Sequence, residues 1–175
     1  MSWSRRGLTA PLFDGERTPL LRLLDARAAG AADEAALREL ARAASAHADA
    51  PFTSRSYRFP FALVAAHSTA VGVDIERVEP CDGAFADSIR TPAERSSAGP
   101  SQAEDHDRYF TSLWSSKEAL SKALGDALAY DPRRLEGPAA WPDGRSGPWR
   151  ALALDVPDGY VGWLCWKDLS SRACG

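Results

Sequence analysis

A six-residue segment near the middle of this 175-residue chain constrains its fold more than any other. Residues 71–76 read Val-Gly-Val-Asp-Ile-Glu. Successive side chains of a β-strand point to opposite faces, so the three branched apolar residues share one face and Asp74 and Glu76 share the other. The two acids then lie roughly 6.5–7 Å apart along the strand, close enough to share one metal ion. Without a cation they repel each other, and the pKa of one carboxyl rises.

A second segment, residues 114–122, supplies the complementary groups. Trp114, Glu118 and Lys122 are spaced four residues apart, so they stack along one face of a helix. If this face meets the acidic face of the strand, three carboxylates and a lysine converge, and a site for a hard cation beside a phosphate requires those groups. Two plainer interpretations stay open at this point. Alternating acids also occur on half-exposed strands, and glutamate–lysine pairs also occur on solvated helix faces.

Composition narrows the class of protein. The chain has 45% hydrophobic and 26% charged residues, as a globular domain does, and its net charge of −3 argues against a general nucleic-acid binder. The three cysteines form no pattern for a disulfide framework or a structural zinc site. No apolar stretch suits a signal peptide or a membrane helix. We therefore expect a cytoplasmic protein that binds neither nucleic acid nor a membrane.

The first 59 residues are predicted to be irregular or helical. Residues 1–19 form an irregular lead-in, and the leucines of 20–30 predict a short helix that ends near Gly30. An alanine-rich stretch with an apolar stripe predicts a helix over 32–48. Residues 53–59 are compatible with a short strand or a loop.

The centre of the chain predicts paired strands. Residues 61–67 are an almost continuous apolar run, typical of a buried strand, and three residues separate them from a strand over 71–78. So short a connection predicts an antiparallel hairpin. The stretch 79–90 is irregular, with one turn of helix expected around 85–89.

Two capping patterns mark the starts of the next helices. Thr-Pro-Ala-Glu at 91–94 combines a capping threonine, a proline at the first helical position and a glutamate three residues on. Ser-Gln-Ala-Glu at 101–104 is a second capping box, opening a long helix that should end at Gly125. The buried stripe of this long helix is predicted to comprise Phe110, Leu113, Leu120 and Leu124.

The last fifty residues predict a loop and a second strand pair. Residues 126–150 are rich in proline, glycine and arginine and indicate a long loop. Strands are predicted over 151–156 and 160–167, joined by a hairpin turn at Pro-Asp-Gly, 157–159. These elements together predict an α+β fold in which an antiparallel sheet packs against a long helix.

The two motifs together resemble the signature of the 4′-phosphopantetheinyl transferase superfamily. Gly-Val-Asp-Ile-Glu at 72–76 is followed about 40 residues later by Trp-Ser-Ser-Lys-Glu-Ala-Leu-Ser-Lys at 114–122, and motif, order and spacing all match. The segment 91–94 is similar to a helix that the family places between them, and the strand ending at Trp166 also fits. The resemblance covers roughly residues 60–167 and implies a 4′-phosphopantetheinyl transferase-like fold. It is closer to the two-half type that serves peptide and polyketide synthases than to the short trimeric type.

The resemblance implies a magnesium-dependent transfer. Coenzyme A donates its phosphopantetheine arm to a serine of an acyl or peptidyl carrier protein, and 3′,5′-ADP is released. On this resemblance Asp74, Glu76 and Glu118 hold Mg²⁺ on the pyrophosphate. Glu118 is also the candidate base for the serine, directly or through a water, and Lys122 contacts the departing phosphate. Lys117 lies roughly a quarter turn round the helix from Glu118. It either contacts coenzyme A as well or is solvated.

The chain departs from the family pattern before the first core strand. Residues 1–59 are expected to form a reduced N-terminal helical half, and 60–175 the catalytic half; the alternative is one compact domain. A Ser-His-Ser motif that helps bind coenzyme A normally precedes that strand. The nearest match here is Ser-Arg-Ser at 54–56, which lacks the histidine. Arg55 or Arg58 is a candidate phosphate contact in its place, since guanidinium suits that role; both are also compatible with a plain surface position.

These departures leave several alternatives. A second copy of the chain would complete the nucleotide pocket in a homodimer; otherwise the protein is a monomer. The first rival function is a weak or inactive relative that binds carrier protein or coenzyme A without transfer. Further rivals are a different metal-dependent enzyme and a plain interaction module.

Overall fold

The computed structural model describes residues 18–97, 103–125 and 130–169. Within these ranges the chain forms two antiparallel sheets with helices packed on them. The strands are β1 (Leu20–Asp25), β2 (Phe52–Arg58), β3 (Phe61–His67), β4 (Val71–Arg77), β5 (Arg145–Ser146), β6 (Trp149–Ala153) and β7 (Tyr160–Lys167). The helices are α1 (Ala26–Ala29), α2 (Glu34–Ala46), α3 (Gly83–Ile89), α4 (Pro92–Ser96) and α5 (Ala103–Leu124). The predicted α+β class, with antiparallel sheet against a long helix, is confirmed.

The first sheet has the strand order β1-β3-β2. All seven residues of β3 are buried, as its apolar run predicts. One face of the sheet packs on α2, where Leu37 and Ala41 contact Ala62 and Val64. The predicted helix over 32–48 is confirmed as α2, which begins after the capping residue Asp33.

The predicted helix over 20–30 is wrong for its first six residues, which form β1. The leucines of β1 pack on both faces of the first sheet. Leu21 and Leu23 pack between the two sheets, and Leu24 packs towards α2. Pairing with β3 along its whole length stabilises this strand, a long-range contact that local propensity does not register. The predicted end of the helix is confirmed, because α1 stops at Gly30, whose φ of 71° suits glycine.

The predicted hairpin between 61–67 and 71–78 is also wrong. Strand β3 pairs with β1 and β2, whereas β4 belongs to a second sheet of order β4-β7-β6-β5. The short link therefore carries the chain from one sheet to the other. Residues of the two strands pack face to face in one core instead of pairing edge to edge; they include Phe61, Leu63, Ala65, Val71, Val73 and Ile75. This arrangement buries both apolar faces, which a two-stranded hairpin cannot do.

The last two strands of the second sheet occur in the predicted order along the chain, but the bounds of one of them differ from the prediction. Strand β7 matches the predicted 160–167, and Gly159 adopts a φ of 81° in the predicted turn. Strand β6 begins two residues earlier than expected and ends at Ala153. The described part of the expected loop 126–150 holds three 3₁₀ turns and the short β5.

Helix α5 packs across β4 and β7, and a glycine sets how closely it approaches. A Cβ built on Gly72 would lie 2.0 Å from the carbonyl oxygen of Ala119, so only glycine permits this contact. Of the predicted buried stripe, Phe110, Leu113 and Leu120 are buried, but Leu124 is 47% exposed. Leu124 ends the helix before Gly125, as predicted, and there the sheet no longer covers it.

Two short helices connect β4 to α5. Helix α3 extends the single turn predicted around 85–89, and α4 has the predicted capping box between Thr91 and Glu94. The second predicted capping box, at 101–104, begins outside the described residues, and only the backbone of its last two is described. No helix in the described ranges has the length and apolarity to cross a bilayer.

The predicted boundary between residues 59 and 60 falls in the connection between β2 and β3, which pair along their whole length. The first sheet thus joins strands from both predicted segments. The segment before residue 60 contributes strands β1 and β2 in addition to helices, so it is not purely helical.

Candidate functional site

The candidate site lies where β2 faces β4, under helix α5. Alternation along β2 turns Ser54, Ser56 and Arg58 towards β4. The hydroxyl of Ser54 accepts a hydrogen bond from the amide of Val73 at 3.1 Å. The edges of the two sheets are therefore joined by side chains of β2.

Asp74 is the most enclosed carboxylate of this site, at 2% exposure. Its Oδ1 accepts hydrogen bonds from Ser56 Oγ at 2.8 Å and from Lys122 Nζ at 2.7 Å. Its Oδ2 is buried and has no hydrogen-bond partner among the described residues. Buried carboxylate oxygens are nearly always paired, so this oxygen marks a place for a further donor or a cation.

Glu76 is paired with the guanidinium of Arg58, which reaches it from β2. Burial raises the pKa of Glu76, and the charge of Asp74 raises it further; Arg58 and the indole of Trp114 oppose this shift through hydrogen bonds. Trp114 and Glu76 also line an open cleft of about 380 Å³ on this side of α5.

Glu118 lies one helical turn from Trp114 and is held by Tyr130, whose hydroxyl donates to Glu118 Oε1 at 2.8 Å. Burial raises the pKa of Glu118; the charge of Asp74 adds to the shift, while Tyr130 and Lys122 oppose it. Burial raises the pKa of Tyr130, and the hydrogen bond to Glu118 and its charge raise it further. Tyr130 is therefore a hydrogen-bond donor at neutral pH.

The structure thus brings together the predicted strand and helix faces, but each carboxylate has its own partner. No group of three or more histidine, cysteine, aspartate or glutamate side chains in the described ranges forms a ready-made ligand set. The charge of Asp74 nevertheless raises the pKa of both Glu76 and Glu118, which shows that the three acids are electrostatically coupled. A cation between them would remove this repulsion.

Lys117 does not belong to this site. Its side chain is fully buried, and its Nζ donates to Glu94 at 2.6 Å and to the carbonyls of Ile89 and Pro132. All three donors are used, so the expectation that Lys117 contacts coenzyme A or is solvated is corrected. Glu94, in turn, also accepts from the amide of Gly137 at 2.7 Å.

The two arginines proposed as phosphate contacts lie on opposite faces of β2. Arg58 is on the face of Asp74 and Glu76, at the candidate site. Arg55 points to the other face, where it lines a separate groove beside α2. The structure therefore brings Arg58, Asp74, Glu76, Glu118 and Lys122 to one region and leaves Arg55 outside it.

Three side-chain contacts in and around the site were not predicted from the sequence. The Ser-Arg-Ser segment drew attention for its arginine, whereas Ser56 is the residue that contacts Asp74. The pairing of Glu94 with Lys117 had a partial signal, since a capping glutamate was already expected in α4. Tyr130 had none, because nothing in the sequence indicates which loop residue folds back on Glu118.

Comparison with known proteins bears on this region. Residues 70–145 match the family model described as 4′-phosphopantetheinyl transferase superfamily. This range contains β4, α5 and every residue of the candidate site except those of β2. The resemblance to that superfamily is confirmed.

A curated relative gives the same indication. The 4′-phosphopantetheinyl transferase psf-1 of Bacillus pumilus is 38% identical over 60 residues, which are 34% of this chain and 26% of the relative. The chain thus matches about a quarter of the relative's length. The similarity to the 4′-phosphopantetheinyl transferase superfamily therefore covers residues 70–145, the region around the acidic site.

Proposed function

We propose that this protein transfers the 4′-phosphopantetheine arm of coenzyme A to a serine hydroxyl of an acyl or peptidyl carrier protein, as a holo-[acyl-carrier-protein] synthase does. The observation that carries the proposal is Asp74. Its buried Oδ2 has no partner within the described ranges, and Lys122 and Ser56 hold its Oδ1, at the junction of the two family motifs.

The residues present fit a divalent cation, which we propose to be Mg²⁺. Asp74 offers an unpaired oxygen, and its charge raises the pKa of Glu76 and Glu118, so the three acids are better accommodated with a cation than without one. Hard oxygen ligands are those that Mg²⁺ prefers, together with substrate phosphates. When bound, Mg²⁺ would supply neutralisation of charge on the pyrophosphate of coenzyme A.

The protein's own side chains are proposed to supply the base and the contact to the departing phosphate. Glu118 is proposed as the base that accepts the proton of the carrier serine, directly or through a water. The serine oxygen forms a bond to phosphorus as the bond from that phosphorus to the bridging pyrophosphate oxygen breaks, and 3′,5′-ADP leaves. Lys122 is proposed to stabilise the charge of the departing phosphate.

Arg58 is proposed as a further phosphate contact. It is half exposed and already lies on Glu76, so its guanidinium has donors available for an incoming anion. We also propose a cytoplasmic location, since Cys81 and Cys165 are free thiols in the described part of the chain. A monomer and a homodimer both remain compatible with the proposal.

A relative that binds without transferring is the second candidate. Lys122 on Asp74 and Arg58 on Glu76 already neutralise two of the three acids within the protein. Such pairing favours a site that holds coenzyme A or a carrier protein without catalysis, if neither pair opens for the cation.

The test is a mass measurement. The protein is incubated with coenzyme A, Mg²⁺ and an apo carrier protein, and intact-mass spectrometry records the addition of one phosphopantetheine arm to the carrier. Glu118→Gln should slow this addition by roughly 10²-fold or more, because the proton acceptor is lost while the size is kept. Glu39→Gln, an exposed glutamate on α2, is the matched control and should retain the wild-type rate.

Two results would contradict the proposal. An unchanged carrier mass across acyl and peptidyl carriers, with coenzyme A binding retained, would favour the second candidate. A wild-type rate in Glu118→Gln would remove Glu118 from its role as the base.

A further inference from the structure

Tyr130 reaches the acidic site from a part of the chain that neither sequence motif contains. It lies in the loop after α5, two residues before the 3₁₀ turn Pro132–Arg134, and its side chain is half-buried. Its hydroxyl donates a hydrogen bond to Oε1 of Glu118 at 2.8 Å. Among the described residues, the other side-chain hydrogen bonds to the three acids come from β2 and α5. Tyr130 is therefore a separate contribution of the loop.

The loop that carries Tyr130 is held at two points by the ion pair of Lys117 and Glu94. Lys117 Nζ donates to the carbonyl of Pro132 at 2.9 Å, and Glu94 accepts from the amide of Gly137 at 2.7 Å. Both side chains of the pair are buried. The position of the loop is therefore set by contacts other than the one between Tyr130 and Glu118.

Each acid of the site is held through one of its oxygens. Asp74 accepts hydrogen bonds through Oδ1, and its Oδ2 has no partner among the described residues. Glu76 accepts from Arg58 through Oε2. Glu118 accepts from Tyr130 through Oε1, and its Oε2 has no hydrogen-bond partner in the ranges that the structure describes. A carboxylate held in this way presents its second oxygen to a cation in a fixed direction.

A plain packing role is the alternative for Tyr130. Because its side chain is only half-buried, water can satisfy its hydroxyl, and Tyr130 does not need Glu118 as a partner. Glu118 gains more from the contact, since a hydrogen bond to a carboxylate is roughly twice as strong as one between neutral groups. The contact therefore constrains Glu118 more than it stabilises the loop, which Lys117 and Glu94 already hold.

We propose that Tyr130 is a positioning residue for Glu118. Its hydroxyl holds Oε1, which limits rotation of the carboxylate and leaves Oε2 for the cation beside Asp74. In this role Tyr130 acts through Glu118 and does not contact the cation or the reacting atoms. The role rests on the proposed function, because it concerns the orientation of Glu118 in the same site.

Cation binding tests this role without any transfer reaction. Mn²⁺ is titrated into the full chain with coenzyme A present, and electron paramagnetic resonance records the free Mn²⁺. Tyr130→Phe should weaken Mn²⁺ binding about tenfold, because a hydrogen-bond partner of a metal ligand typically contributes roughly 10–100-fold to metal affinity. The urea midpoint should stay near that of wild type, since Lys117 and Glu94 still hold the loop.

Two further variants separate positioning from a general structural effect. Tyr57→Phe is the matched control, because Tyr57 packs with α2 on the opposite face of β2, beside Arg38, and its hydroxyl should not affect Mn²⁺ binding. With 4-aminophenylalanine at position 130, an N–H donor returns to the place of the hydroxyl and should restore most of the Mn²⁺ affinity. A loss that this donor does not restore, or that Tyr57→Phe shares, would overturn the positioning role. Unchanged Mn²⁺ affinity in a folded Tyr130→Phe variant would also overturn it, as would a wild-type chain that binds no Mn²⁺.

Transfer rates distinguish this role from the transferase proposal itself. With an apo carrier protein and saturating Mg²⁺, Tyr130→Phe should lower kcat about tenfold and leave KM for coenzyme A unchanged. A raised KM with an unchanged kcat would place Tyr130 on the substrate and contradict the positioning of Glu118. A carrier that gains no mass, while the Mn²⁺ results hold, would contradict the transferase and leave the positioning role standing.

Discussion

Helix α5 carries two lysine–carboxylate pairs that differ in almost every physical respect. Lys117 and Glu94 are buried together, and all three ammonium protons have acceptors. Lys122 and Asp74 are also in contact, but Lys122 is partly exposed, and one oxygen of Asp74 has no partner in the part of the chain that the structure describes. The first pair is complete without a ligand, and the second is not. The comparison separates a lysine that stabilises the fold from one that is available for chemistry.

We call Lys117–Glu94 the closed pair and Lys122–Asp74 the open pair. The closed pair links three elements of the fold. Glu94 comes from α4 and accepts from Lys117 of α5 and from the amide of Gly137 in the following loop. A Cβ on Gly137 would lie 2.5 Å from the Cδ1 methyl of Leu113, so a side chain there requires Leu113 to shift. The open pair links α5 only to β4, at the edge where β2 approaches.

Breaking the closed pair should have the largest effect. Lys117→Ala leaves Glu94 buried without its cation and should lower the free energy of unfolding by about 3–5 kcal/mol. Urea denaturation followed by tryptophan fluorescence measures the loss. Lys122→Ala is the matched variant on the same helix, and it should cost less, because Lys122 is itself 21% exposed and Asp74, although buried, keeps its hydrogen bond from Ser56. Equal losses in the two variants would show that the pairs do not differ as described.

The free energy of unfolding should be nearly as sensitive to a change at Gly72, where the close contact between β4 and α5 brings Lys122 and Asp74 together. In Gly72→Ala the new methyl group would lie 2.0 Å from the Ala119 carbonyl and 2.5 Å from the Ala123 amide, so α5 must move away from β4. We expect a loss of about 2–3 kcal/mol in the free energy of unfolding, together with weaker coupling between Asp74 and Lys122. Gly83→Ala is the control: nothing lies within 4 Å of its Cβ, and stability should stay the same or rise slightly. Wild-type stability in Gly72→Ala would contradict the close approach.

Acid should act on the two regions in opposite directions when divalent cations are absent. Burial alone would raise the pKa of Glu94, but hydrogen bonds from Lys117 and two backbone amides outweigh it and leave the pKa below its usual value. The stability that Glu94 contributes is therefore lost as pH falls through its folded pKa. Glu76 and Glu118 have raised pKa values, so the folded state binds their protons more tightly than the unfolded chain does. Their effect is a gain in stability as pH falls through those raised values.

The measurement is the urea midpoint between about pH 3 and pH 7 with a chelator present. It should rise on mild acidification and fall again below the ordinary glutamate pKa, where Glu94 takes up its proton. A midpoint that declines steadily from neutral pH would contradict the raised pKa values of the acidic site.

Local patterns predicted the elements whose signals lie in neighbouring residues. The capping box of α4, the end of α5 at Gly125 and the alternation of β4 depend on contacts within a few residues, and all are present. The helix predicted for β1 and the hairpin predicted for β3 and β4 failed for one reason. Both depend on which distant strand supplies the partner, and leucine-rich segments suit helix and strand alike.

The same distinction holds at the site. The spacing of the two motifs placed Asp74 and Lys122 on a strand face and a helix face that were expected to converge, and the two side chains are in contact. It could not show that Lys117, five residues earlier, turns into the interior, because that depends on where α4 and the following loop pack. Nor could it show that Arg55 and Arg58 have separate surroundings until β2 was known to be a strand.

We propose that Asp74 marks an open cation site, and Asp74→Asn tests this most directly, with the smallest expected change in stability. Asparagine keeps the size and the contact with Ser56, and removing the charge relieves Glu76 and Glu118. Titration of Mn²⁺ followed by electron paramagnetic resonance, with coenzyme A present, should show one bound cation in wild type and at least tenfold weaker binding in Asp74→Asn, since a charged ligand is lost. The urea midpoint should change little. Unchanged Mn²⁺ affinity in a folded Asp74→Asn variant would contradict the account.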